Sequence, residues 1–297
     1  MAGRVATIGT FDGVHCGHRV VVDEVKRIAC ERNLIPTVFA FANHPLEIVA
    51  PERVPAKLMS FEAQLRFFET LSVEVVPIYF NEELRRMQSR EYMQFIRNEY
   101  DVEVLVVGYD NRFGCNRDEG FEQYASHGRE IGMEVIEAPE MKGVSSTIIR
   151  KLLEEGEVAA ANEKLGYFYT VSGIVEEGKQ LGRTIGFPTA NLCLDDCRKL
   201  VPANGVYVAK VELSDGRIYG AMVNIGHCPT VEPHCNKRTI EVNIFDFTED
   251  IYGEKMNLSF VDFMRKERKM NSVEELRCQL IKDKEAAQKI LKTMRDE

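Results

Sequence analysis

None of the eight cysteines in this 297-residue chain forms a CxxC pair. Dithiol redox centres and many structural zinc sites are built on that spacing, so neither is expected. The cysteines are read as free thiols of a reducing compartment. One cluster invites a metal reading: His227-Cys228 and His234-Cys235, with Cys193 and Cys197 upstream. Its donors are adjacent in sequence, and adjacent side chains rarely converge on one ion, so a plain loop is expected. No apolar run approaches the roughly 18 to 20 residues that span a bilayer, and no charged-then-apolar leader with a small-residue cleavage site opens the chain. A cytoplasmic protein without membrane contact is expected. An excess of positive charge is missing as well. There are 38 Lys and Arg against 47 Asp and Glu, a formal charge of −9, which argues against a nucleic-acid partner. An acidic chain can still hold a nucleotide on backbone N–H groups and a few cations. No Walker A pattern (GxxxxGK[ST]) occurs, which excludes a P-loop kinase. Internal repeats and low-complexity segments are absent.

The length favours two domains, and the pattern changes near residue 156. Before it, short β-prone runs near 4–8, 35–41, 73–78, 103–107 and 133–138 alternate with helix-period stretches such as Phe61 to Leu71 and Glu91 to Tyr100. That alternation predicts a parallel sheet with helices on both faces, whose ligands bind beyond the carboxyl ends of the strands. After it, Glu157 to Leu165 reads as a short helix stopped by Gly166. Then follow β-prone runs near 168–176, 206–213, 217–225, 238–246 and 257–264, a small antiparallel sheet or barrel. Ser272, with Glu275 three residues on, predicts the start of a C-terminal helix. The expected domains are 1–156 and 157–297.

The densest chemistry lies in Gly9-Thr10-Phe11-Asp12-Gly13-Val14-His15-Cys16-Gly17-His18. These residues follow a short apolar strand and precede a helix-period pattern from Val21 onward. A glycine-rich strand-to-helix turn offers unpaired N–H groups and the positive end of a helix dipole, a seat for phosphate. Two imidazoles beside it point to phosphoryl or nucleotidyl transfer; a tight turn with solvated histidines is the bland reading of the same spacing. Three further segments fit a nucleotide site, each with an ordinary reading beside it. Ser145-Ser146-Thr147-Ile148-Ile149-Arg150 supplies hydroxyls and a guanidinium, or simply an N-cap with a solvated arginine. Gly108-Tyr109-Asp110-Asn111-Arg112-Phe113-Gly114 and Phe41-Ala42-Asn43-His44-Pro45 each end a strand, as ligand contacts or as loops.

The pattern GxFDGxHxGH resembles the ATP-binding signature of the nucleotidyltransferase superfamily, in the form typical of its bacterial FAD synthetase branch. The other three segments resemble that branch's remaining motifs, in the same order. The resemblance implies a Rossmann-like nucleotidyltransferase domain. In it Gly9, Phe11, Gly13, Gly17, Ser145, Ser146, Thr147 and Arg150 hold ATP, and His15 and His18 are catalytic. Asn43, His44, Asp110 and Arg112 would bind the flavin. Asn111 stands where the family usually has Phe, a departure on the flavin side. No protein nucleophile is needed: a phosphate oxygen of FMN attacks the α-phosphate of ATP, and catalysis is positioning and charge neutralisation.

The second half holds Gly182-Arg183-Thr184-Ile185-Gly186-Phe187-Pro188-Thr189-Ala190-Asn191-Leu192, read from composition as a strand-flanking loop. If extended, it projects Thr189 and Asn191 to one face, within reach of one hard cation. Asn224-Ile225-Gly226, Pro229-Thr230, Thr239-Ile240-Glu241-Val242 and Asp250-Ile251-Tyr252-Gly253 follow. Glu241 either faces solvent or is a base aimed into a cleft. Together these segments resemble riboflavin kinase. The resemblance assigns Thr189 and Asn191 to Mg²⁺, Glu241 to deprotonation of the ribityl hydroxyl, and Gly182, Arg183 and Gly186 to the ATP-phosphate loop. It also implies riboflavin, FMN and ATP as substrates. Asn243 and Met270 depart from common family residues without removing a catalytic group.

The resemblance runs from about residue 4 to residue 280, in the order of the bifunctional bacterial enzymes. Two rival readings remain. A nucleotidyltransferase for another phosphorylated acceptor, such as phosphopantetheine, leaves Gly182–Asn191 without a purpose. A flavin-binding regulator with decayed catalysis would be expected to lose some of the catalytic residues that this chain keeps. Oligomeric state has no signature in the sequence.

Overall fold

The computed structural model describes residues 3–109, 111–115, 118–177, 182, 185–227 and 238–294. By its contacts the chain divides into two compact units, Met1–Ser146 and Thr147–Glu297. Asp110 and Arg183 lie outside the described residues, as does most of the His227–Cys235 cluster.

The first unit is built on five parallel strands: β1 (Arg4–Gly9), β2 (Ile35–Phe41), β3 (Glu74–Ile78), β4 (Val102–Val107) and β5 (Glu134–Glu137). Their order is β3-β2-β1-β4-β5. Alternate residues of one strand feed opposite cores, as the period of two requires. Leu105 and Val107 pack with Tyr92, Met93, Ile96 and Tyr124, whereas Val104 and Val106 pack with Val25 and Ile28. The first of these cores is roofed by α5 (Ser89–Tyr100) and α6 (Phe121–Ile131), the second by α1 (Cys16–Arg32). A third core sets Phe11, Val14 and Val38 against Phe68 of α3 (Phe61–Thr70). Short helices α2 (Leu46–Val49) and α4 (Glu82–Arg86) complete the crossovers. The strand order reverses between β1 and β4, which makes their carboxyl ends the natural ligand crevice.

Helix α1 begins at Cys16 rather than near Val21, because His15 caps it: the imidazole Nδ1 accepts the His18 N–H at 3.2 Å. Helix α7 (Ser146–Glu155) begins among the hydroxyls of the Ser145–Arg150 motif, so Thr147 and Arg150 are helical, and by contacts they belong to the second unit. Helix α8 (Val158–Leu165) ends on Gly166 at φ 72°, as expected.

The second unit is a closed antiparallel barrel in the order β10-β7-β6-β11-β8-β9. Its strands are β6 (Thr170–Glu176), β7 (Ala190–Leu194), β8 (Gly205–Leu213), β9 (Ile218–His227), β10 (Arg238–Ile244) and β11 (Lys255–Arg265). Closure gives each strand a partner on both sides among the described residues. β7 corrects the sequence reading, which placed these residues in a strand-flanking loop. Its Asn191 and Ala190 pair with Glu241 and Val242 of β10, so tertiary pairing supplies what the local composition does not. Asn162 of α8 pins that helix to the barrel, donating to the Phe260 carbonyl at 2.9 Å and accepting the Tyr169 N–H at 2.7 Å. The C-terminal helix α9 (Val273–Thr293) starts on Ser272, whose hydroxyl accepts the Glu275 N–H. Its Leu280, Ala287 and Leu291 join Phe187, Met222 and Phe245 in a core outside the barrel wall.

Candidate active sites

In the first unit the turn after β1 is held from several sides. Phe11 (φ 47°) and Val14 (φ 34°) occupy the left-handed region, a costly setting for a β-branched residue. Both are buried, and the Val14 N–H closes the turn on the Phe11 carbonyl at 2.9 Å. The Asp12 carboxylate accepts the Leu58 and Met59 N–H groups at 3.0 Å, and the Asp12 carbonyl accepts the Ser146 hydroxyl at 2.9 Å. Gly17 is needed for closeness, since a Cβ there would lie 3.3 Å from the His15 ring.

The result is a rigid pair of imidazoles. His15 and His18 stack with centroids 3.6 Å apart, and Phe11 meets His18 edge-on. Because His15 Nδ1 accepts a backbone N–H, its neutral ring carries the proton on Nε2 and can donate there. Desolvation first, and the charge of His15 second, hold the His18 pKa well below its ordinary value. Stacked this closely, the two rings disfavour a second positive charge, and burial disfavours charge on His18 itself.

Asn111 fills the switch point. Its side chain donates to the Ile8 carbonyl at 2.5 Å and its N–H to the Gly108 carbonyl, tying the loop after β4 to the end of β1. Arg112 folds back onto the Tyr109 and Asn111 carbonyls and is exposed. Asn43 exchanges two hydrogen bonds with the Phe80 backbone, at 2.9 and 2.8 Å, and so joins the loops after β2 and β3. His44 accepts the Leu46 N–H at 3.1 Å. Asn43 and His44 share a small cavity with Thr10, Asp12, Lys57 and Gln64. Lys57 and Gln64 were not foreseen from the sequence, and neither was Arg19, whose guanidinium reaches Cys16 Sγ at 2.9 Å.

In the second unit, register assembles the site. Glu241 pairs with Asn191 on one side and with Asn224 on the other, and directly opposed residues share a face. Asn243, two residues along, faces the same way and donates to the Pro188 carbonyl at 2.7 Å, fixing the loop that carries Thr189. Gly182 accepts the Ile185 and Phe187 N–H groups, and a Cβ there would sit 2.1 Å from the Phe187 carbonyl. Gly186 takes φ 84°. Both glycines of the motif are therefore sterically required.

Two cavities flank this loop. One, of about 300 Å³, is walled by Glu241, Asn224, Asn243 and Arg265, with Phe187 and with Leu276 and Leu280 of α9. The other, of about 360 Å³, lies among Val242, Ile244 and Phe247 to Tyr252. Thr189 lines both. A polar network the sequence did not announce holds α9 over the first cavity. Arg265 grips Asp283 with two nitrogens (2.7 and 3.1 Å), and Gln279 donates to the same carboxylate. Nearby, Asn224 donates to Glu267 at 3.0 Å. Among the described residues no group of three or more His, Cys, Asp or Glu could hold a metal. No helix among them is long and apolar enough to cross a membrane.

Comparison with known proteins agrees with this division. Residues 1–151 match the FAD synthetase family and residues 165–291 the riboflavin kinase family. A bifunctional riboflavin kinase/FMN adenylyltransferase of Bacillus subtilis (strain 168) is 34% identical over 99% of this chain and 94% of its own length. Its counterpart in Escherichia coli (strain K12) is 33% identical, over 95% and 90%. A solved structure of a Streptococcus pneumoniae protein, called a macrolide-efflux protein, superposes with a TM-score of 0.88 at 31% identity, covering 97% of this chain and 94% of that one. With two family matches in the order of its two units, and relatives alike over nearly its whole length, the chain belongs to the bifunctional riboflavin kinase/FMN adenylyltransferase family.

Proposed function

We propose that the chain has two catalytic domains, 1–156 and 157–297, and that it converts riboflavin to FMN on the second, which carries the barrel, and FMN to FAD on the first, which carries the parallel sheet, each time at the expense of ATP. One observation carries the kinase reading: Thr189 lines two cavities, only one of which holds Glu241. Riboflavin fits the cavity with the carboxylate and the apolar wall of α9, and the nucleotide fits the other. Glu241 takes the proton of the ribityl 5′-hydroxyl; that oxygen bonds to the γ-phosphorus as the bond to ADP breaks. Thr189 and Asn191 offer hard oxygen donors, with the Glu241 carboxylate directly opposite Asn191. That suits Mg²⁺, which is commonly held by one or two protein oxygens and by substrate phosphates. Bound there, it would neutralise phosphate charge.

In the sheet unit, the N-terminus of α1 and the Nε2–H of His15 receive phosphate oxygens, with neutral His18 stacked behind. An oxygen of the FMN phosphate bonds to the α-phosphorus, and pyrophosphate departs. Ser146 buttresses the turn through Asp12, while Ser145, Thr147 and Arg150 remain proposed phosphate contacts. Asn43, His44, Asp110 and Arg112 are proposed for the flavin side, and Gly182, Arg183 and Gly186 for the kinase phosphate loop. A cytoplasmic place fits the exposed thiols Cys30, Cys197 and Cys278. The partners are small molecules.

The test is a time course of the purified protein with riboflavin, ATP and Mg²⁺, with flavins resolved by chromatography. FMN appears first and FAD follows. Glu241→Gln lowers FMN formation at least 100-fold while FAD formation from supplied FMN persists, and His18→Ala does the reverse. Loss of both activities in either folded variant would refute the two-site reading.

A further inference from the structure

The small cavity at the carboxyl edge of the sheet, about 40 Å³, has room for the edge of a ring but not a whole one. Its polar lining is largely engaged. Asn43 exchanges both its amide bonds with Phe80, Asp12 receives two backbone N–H groups, and His44 Nδ1 accepts the Leu46 N–H. Gln64 differs. It is 5% exposed, it stands on α3 against the cavity, and its Oε1 is shielded and has no hydrogen-bond partner among the described residues. A buried carboxamide oxygen left alone is costly, so it marks a place where a ligand supplies the donor. The rest of the lining includes Phe41, Phe61, Met59 and Pro55, which suits a planar ring better than a polyol.

We propose that Gln64 Oε1 accepts the ring imide N–H of the flavin, which makes Gln64 a specificity residue for the adenylyl acceptor. The proposal rests on the FMN-adenylylation reading. No bond to the flavin is made or broken by Gln64; it selects and orients.

The test uses the full chain, FMN and 3-methyl-FMN, whose ring nitrogen has lost its hydrogen. Gln64→Met keeps the shape and removes the acceptor. It raises the KM for FMN about tenfold and leaves kcat, the KM for ATP and riboflavin phosphorylation unchanged. Wild type loses a similar factor on 3-methyl-FMN, and the variant loses nothing more, since both changes delete one contact. Equal use of FMN and 3-methyl-FMN by the wild type overturns the proposal, as does additivity of the two losses. A loss on 2′-deoxy-FMN that vanishes in Gln64→Met, with the 3-methyl effect intact, also overturns it by moving the contact to the ribityl chain. The analogue arm needs no substitution, so a misfolded variant leaves it standing. A wild type that makes no FAD refutes the adenylylation reading itself. The same pair of flavins is then compared by fluorescence quenching, where the difference between wild type and Gln64→Met isolates this cavity from the kinase site. Equal affinities there overturn the Gln64 assignment.

Discussion

His18 stays neutral in the folded chain because desolvation and the neighbouring His15 both disfavour its protonated form. Below about pH 6.5 the unfolded chain binds a proton at this ring that the folded chain refuses. Stability is therefore full above that pH and falls through the window beneath it, down to the lowered folded pKa. The slope from this ring is at most about 1.4 kcal/mol per pH unit. Urea unfolding of the first unit at about pH 7.5 and about pH 5.5 measures this, and His18→Gln removes that share of the pH dependence. Parallel curves for the two proteins would refute it. His15, His18 and Glu241 were singled out from local motifs, and the fold stacks the first two and sets the third opposite Asn191. Asp12 as a clamp and Asn111 as a tie were not visible there. Their partners lie far along the chain, as with Leu58 for Asp12 and Ile8 for Asn111, and only folding brings them together.

Helix α9 owes its position to a buried ion pair as well as to apolar packing. Asp283 is 4% exposed and Arg265 grips it from β11. Removing one partner strands the other, at a cost of about 3–5 kcal/mol when both are buried. Arg265 keeps some exposure, so a smaller loss is expected. Asp283→Ala should destabilise the barrel unit by about 1–3 kcal/mol and raise the KM for riboflavin several-fold, with FMN adenylylation untouched. Chemical denaturation and steady-state kinetics of both reactions check this; an unchanged riboflavin KM would refute the link between the pair and the cavity. At this scale the parallel strands were read from the alternation of β-prone runs with helix-period stretches; only β4, Val-Glu-Val-Leu-Val-Val, approaches the continuous apolar run of a buried strand. The start of α1 was hidden because a histidine cap is outside the usual Ser, Thr, Asp and Asn set. β7 was hidden by its mixed composition after Gly186 and Pro188, and became a strand only through its partners.

Two units with separate chemistry predict complementation. A mixture of Glu241→Gln and His18→Ala proteins should convert riboflavin to FAD, because FMN released by one chain is adenylylated by the other. A lag before FAD marks the passage through solution, and the same flavin chromatography records it; no FAD from the mixture would mean that the intermediate never leaves its chain. The change of pattern was read near residue 156, whereas the contacts divide the chain between Ser146 and Thr147; the second sheet, read as a small antiparallel sheet or barrel, closes through pairings between strands distant in sequence. Thr189 carries a last consequence. It stands in the wall between two cavities, so the proposed placing of vitamin and nucleotide in separate chambers lets either arrive without crossing the other's. Initial-rate kinetics with both substrates varied are then expected to show no compulsory order of addition, and strictly ordered binding would count against that placing.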